Sequence, residues 1–146
     1  MFRKQAVLAI LLLLAVSLAG CGGNQLPTLP ALPSAAEAQK AVCDGLTVVN
    51  SSVTSLGNIS PTSTVNDIKA LKGNIDIGVQ AIKAANSVLN QQAITDLTNN
   101  YDNLALQING LTNGQIISPE TEAQIEAGVA SVQVALTQAR TALSCP

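Results

Sequence analysis

Beyond residue 33 the apolar residues of this chain recur at alternating spacings of three and four, as expected of helices that each bury one stripe. Val42, Leu46, Val49, Val53 and Leu56 form the first stripe. It is preceded by Ser34-Ala35-Ala36-Glu37, which has the Ser and Glu of a capping box, and is ended by Gly57-Asn58 and Ser60-Pro61. A second helix opens near Ser63 or Thr64, with Asp67 in its first turn, where the helix dipole favours an anion. Its stripe is Ile68, Ile75, Ile82 and Leu89, widened by Leu71 and Val79. Ile94, Leu97, Tyr101, Leu104 and Ile108 make the third, closed by Gly110. A loop from Thr112 to Ile117 holds the turn dipeptide Asn113-Gly114. Ser118-Pro119-Glu120 then supplies a cap, a first-turn proline and an acid in the order that helix starts prefer. Ile125, Val129, Val132, Leu136, Ala139 and Leu143 complete the fourth stripe, and no strand-like alternation competes with it.

These patterns predict an all-α domain over 34–146, an up-down-up-down four-helix bundle, with Leu46, Ile75, Leu104, Val132 and Leu136 in its core. One alternative stays open. Neither Gly nor Pro lies between Gly78 and Gly110, and the only break signal is Asn90-Gln91-Gln92, so the middle two helices can be read as one from about 64 to 109. Such a helix would be roughly 67 Å long and, with one partner beside each half, would bury its stripe poorly. Gly73 and Gly78 each weaken the second helix by about 1 kcal/mol relative to Ala, although glycines in a bundle also admit a neighbouring helix.

The first twenty residues follow a different pattern. Phe2-Arg3-Lys4-Gln5 is a short positive head, and Ala6 to Leu18 is apolar apart from Ser17. This describes a secretory signal peptide over 1–20, too short for a spanning helix. It ends in Leu18-Ala19-Gly20-Cys21, which resembles the lipobox of bacterial lipoproteins. The resemblance covers about twenty residues and implies nothing about the mature domain. It implies that the Cys21 sulfur is diacylglycerylated and that the chain is cut before Cys21; in that family the new amine is often acylated too. Gly22 stands where that family commonly carries an aspartate for inner-membrane retention. In a host with two membranes the resemblance therefore implies the periplasmic side of the outer membrane; with one membrane, its outer face. Residues 21–33 read as the lipidated cysteine and a tether in which Leu-Pro repeats every third residue from Leu26 to Pro33. As polyproline II this is a stiff spacer, with Leu26, Leu29 and Leu32 along one edge.

Charge and composition narrow the chemistry. Of the seven Lys and Arg, Arg3 and Lys4 belong to the leader, so five bases face nine acids beyond Cys21, a formal charge of −4. No basic patch is present, which argues against nucleic acid as a partner. The chain has no His and no Trp, and Tyr101 is the only aromatic after Phe2. Without His there is no Ser-His or Cys-His pair, and the commonest general base near neutral pH is missing. No glycine-rich phosphate loop or zinc-ligand spacing appears, so no catalytic, metal or cofactor site is expected. Glu122 and Glu126, with Glu120 nearby, share a helix face and read as a solvated first turn. Lys40 and Asp44 form an i, i+4 surface pair, and Tyr101 a core residue with its hydroxyl at the rim.

Cys43 and Cys145 remain, and an even pair in an exported protein reads as a disulfide. In an up-down-up-down bundle the first and fourth helices are neighbours, and the pair lies near one end of both. The expected function is that of a non-enzymatic, lipid-anchored envelope scaffold with a protein partner. The alternative is a module holding a small apolar ligand, a lipid or peptide, between helices, with room beside Gly78, Ala85 and Gly128.

Overall fold

The computed structural model describes residues 33–60 and 62–146. The signal peptide, Cys21 and the tether through residue 32 lie outside the described residues. Four helices are present among them: α1 (Ala35–Leu56), α2 (Val65–Leu89), α3 (Gln92–Asn109) and α4 (Pro119–Ala142). Contacts join α1 to α2, α2 to α3, α3 to α4 and α4 back to α1, with no diagonal pair, as in a four-helix bundle.

The helix starts are built as their sequences dictate. Ser34 Oγ accepts from the Glu37 N–H at 3.2 Å while the Glu37 carboxylate accepts from the Ser34 N–H at 2.8 Å. Thr64 and Asp67 repeat the arrangement at α2, at 3.3 Å and 2.9 Å. These backbone hydrogen bonds, and then those from the capping hydroxyls, hold both carboxyls below their usual pKa range. At α4, Ser118 caps Thr121, and Pro119 occupies the first turn.

The single long helix is ruled out: α2 ends at Leu89, and α3 begins at Gln92. Asn90 takes a left-handed conformation, φ 52°, which an Asn tolerates better than most side chains. Asn86 fixes the turn by accepting from the Gln91 N–H at 2.8 Å. The break signal in Asn90-Gln91-Gln92 is therefore genuine, and folding back there lets α3 bury its stripe.

One core runs through all four helices. Leu46, Ile75, Leu104, Val132 and Leu136 are each at most 1% exposed. At the α1–α2 seam a Cβ on Gly78 would lie 2.6 Å from Val49 Cγ2, and one on Gly45 2.8 Å from Ile82 Cγ1. Helix α3 comes as close to α4 at Gly128, where a Cβ would meet Leu104 Cδ1 at 2.8 Å. Gly73 makes no such approach: nothing lies within 4 Å of a Cβ there.

The two ends differ. The chain enters α1 at one end, which also carries the α2–α3 turn and Cys145. At the other, the α1–α2 and α3–α4 loops interlock. The Val65 N–H donates to Gln115 O at 3.0 Å, and Lys69 Nζ reaches Leu111 O and Asn113 Oδ1, both at 2.8 Å. Gly114 in that loop has φ 78°, as the Asn-Gly turn requires.

Candidate functional site

Cys43 and Cys145 form a disulfide, with Cα atoms 5.5 Å apart and a sequence separation of 102. Cys43 sits more than two turns into α1, so the end of α4 must turn back to reach it. A Schellman motif does this: the Cys145 N–H donates to Arg140 O at 2.9 Å and the Ser144 N–H to Thr141 O at 3.2 Å. The αL position of that motif is Ser144, φ 51°, where glycine is usual. Gln39 of α1 secures the same turn by donating to Leu143 O at 2.6 Å. Arg140, in the last turn of α4, reaches Thr47 Oγ1 and Pro146 O, each at 3.4 Å, and its buried Nε has no partner among the described residues.

Tyr101 is a second polar group drawn into the core. Its ring is 2% exposed, and its hydroxyl donates to Asp76 Oδ1, with Lys72 O at 3.2 Å. Asp76 Oδ2 in turn holds Lys72 Nζ at 2.7 Å, and the Lys72 side chain is only 14% exposed. Burial, then the Asp76 carboxylate, pushes the phenol far above its usual range, so Tyr101 stays protonated. A neutral tyrosine fixed against a paired carboxylate cross-links α2 to α3. Lys83 and Asp102 span the same seam at 3.1 Å.

The remaining candidates stay at the surface. Lys40 and Asp44 pair at 2.7 Å with both side chains mostly exposed. Among the described residues Glu120, Glu122 and Glu126 take part in no ion pair, and no three Asp, Glu or Cys side chains converge as a metal would require. None of the described helices is long and apolar enough to cross a membrane. At Gly78 and Gly128, two of the three places (with Ala85) where the alternative reading put room for an interior ligand, Val49 and Leu104 occupy the space.

Among the described residues, two open grooves lie outside the core. One, of about 380 Å³, runs beside Cys43 and Ser144. The other, of about 300 Å³, lies along the α3–α4 seam over Gly128 and is walled by Asn and Gln side chains. Sequence reading passed over this groove because its residues sit on the polar faces of two different helices. It also passed over the Lys72–Asp76 pair, although its i, i+4 spacing was a usable signal. Comparison with protein-family models, curated protein sequences and solved structures returns no match.

Proposed function

We propose that this chain is a lipid-anchored protein of the bacterial cell envelope, acting as a non-enzymatic scaffold or interaction module for an envelope protein. The observation that carries the reading is the Cys43–Cys145 disulfide, since such bonds persist in oxidising compartments outside the cytosol. It agrees with export by residues 1–20 and lipidation at Cys21. Gly22 directs the product to the periplasmic side of the outer membrane where the host has two membranes.

The filled core supports scaffolding over an interior apolar ligand, because Gly78 and Gly128 serve helix contact and leave no room between helices. The interlocked loops at the end opposite the disulfide offer a surface to a partner.

Membrane fractionation with metabolic fatty-acid labelling tests the anchor. The unaltered chain should carry label and sediment with membranes. Cys21→Ser should lose the label and appear uncleaved or soluble, because acyl chains supply about 0.8 kcal/mol per buried CH₂. A Cys21→Ser chain that stays processed and membrane-bound overturns the reading. Cross-linking in native envelopes then separates the two roles, a protein adduct supporting the scaffold and a co-purifying lipid the ligand-binding module.

A further inference from the structure

The chain holds two Asn-Gly dipeptides, Asn109-Gly110 and Asn113-Gly114, and both asparagines are exposed. Such a pair can react with itself. Once solvent base has taken its proton, the glycine nitrogen can attack the asparagine Cγ, because glycine has no Cβ to obstruct the approach. Backbone conformation decides whether it does, and the two dipeptides differ there. Asn109 is the last residue of α3, and Gly110 caps that helix in the αR conformation, φ −70°. The Gly110 N–H, whose proton would have to leave, donates to Leu106 O at 3.2 Å. Ile108 on one side is buried, and on the other the Leu111 N–H donates to Ile108 O at 3.2 Å, so this peptide is held from both directions.

Gly114 lies in the loop, with φ 78°, and its N–H makes no hydrogen bond to any described residue. Nothing lies within 4 Å of a Cβ there, so the peptide has room to turn. The Asn113 side chain is also engaged: Lys69 Nζ, itself fixed on Leu111 O, donates to Asn113 Oδ1 at 2.8 Å. An ammonium at that oxygen polarises the amide carbonyl and stabilises the oxyanion that attack at Cγ creates. We propose that Asn113 is a self-modifying site, which deamidates through a cyclic imide with Gly114 while the helix end protects Asn109. The bond from Gly114 N to Cγ forms, the Cγ–Nδ2 bond breaks, and Nδ2 takes a proton from solvent and leaves as ammonia. Water then opens the imide, by cleaving either the new N–Cγ bond or the bond from the ring nitrogen to the Asn113 main-chain carbonyl carbon. The first route gives an aspartyl and the second an isoaspartyl residue at position 113, with no change of oxidation state. Either way a carboxylate replaces a neutral amide in the loop that Lys69 holds, and the interlocked end of the bundle gains a negative charge.

Incubating the full chain, purified in detergent, in mildly alkaline buffer and following it by fragment mass spectrometry tests this. Asn113 should convert roughly tenfold faster than Asn109, since Asn109 can react only after the helix end has opened. The product should include isoaspartyl, which direct hydrolysis of the side chain does not form. In urea the two positions should convert at similar rates, because the fold that separates them is gone. Lys69→Met should slow conversion at Asn113 about fivefold, the value of one hydrogen bond to the oxyanion. A lysine that only anchored the loop would give the opposite sign, a faster reaction when it is lost. The proposal is overturned by an Asn113 that stays intact in the folded chain, by equal rates at the two positions in the folded chain, by a product free of isoaspartyl, or by an unchanged or faster reaction in Lys69→Met.

Discussion

Val49 fills the place that a side chain at Gly78 would take, its Cγ2 standing 2.6 Å from a Cβ built there. Ile82 does the same over Gly45 across the seam. Gly78→Ala is therefore expected to destabilise the domain: about 1 kcal/mol of helix propensity is gained, but about 1–3 kcal/mol of overpacking outweighs it. Gly73→Ala, on the same helix with open space around it, should gain about 1 kcal/mol. Urea midpoints should move in opposite directions; two shifts of the same sign would mean that the α1–α2 seam is not closed by these glycines.

The disulfide closes a loop of 102 residues. Chain entropy sets an upper figure of about 4.7 kcal/mol for such a loop, and bridges removed from small secreted domains commonly cost about 2–5 kcal/mol. Adding a reductant should lower the denaturation midpoint by an amount in that range. The Cys43→Ala/Cys145→Ala chain should start at the lower midpoint and be indifferent to reductant. Free thiols titrating in the native oxidised protein would contradict the bond itself.

Tyr101 links stability to alkaline pH. Its phenol pKa is raised in the folded state, mainly by burial and also by Asp76, whereas the unfolded chain ionises near the ordinary value of 10.0. Its contribution is thus complete below pH 10.0 and falls as pH rises beyond it, because only the unfolded state then releases the proton. As the chain has one Tyr and no Trp, phenolate absorbance reports this residue alone. That absorbance should appear together with loss of helical circular dichroism. Tyr101→Phe is the control, and its stability should depend less steeply on pH above 10.0.

Among the described residues two non-glycine residues are held at positive φ, Asn90 at 52° and Ser144 at 51°. Serine has less tolerance for αL than asparagine, so Ser144→Gly should stabilise by about 1 kcal/mol and Asn90→Gly by less. Thermal melts of the two variants provide the comparison. A loss in Ser144→Gly would show that the turn carrying Cys145 is not strained at that residue.

The helices and their caps were legible because their determinants are local. A capping box spans four residues and a helix stripe repeats every three or four, so Ser34 with Glu37, Thr64 with Asp67, and Ser118 with Pro119 set their helix starts wherever the helices finally pack. The core members followed from the same periodicity, and the Cys43–Cys145 bond from parity and an assumed topology. Among site residues, the disulfide was readable in this way and Tyr101 could be placed at the rim of the core. Its partner could not be named.

Other features depended on the rotation and register of one helix against another. Asp76 meets Tyr101, Lys83 meets Asp102, and Lys69 meets Asn113 only after α2 and α3 have folded back on each other and the loops have closed. The break at Asn90 belongs with these. Its sequence permits a continuous helix, and what selects the turn is the apolar area that α3 buries once it lies against α2 and α4. An apolar stripe specifies that a helix face must be covered, but many partners and registers cover it almost equally well. The choice falls to close contacts between residues distant in sequence, such as Gly45 and Gly78 with the branched side chains opposite them, and these exist only in the packed bundle.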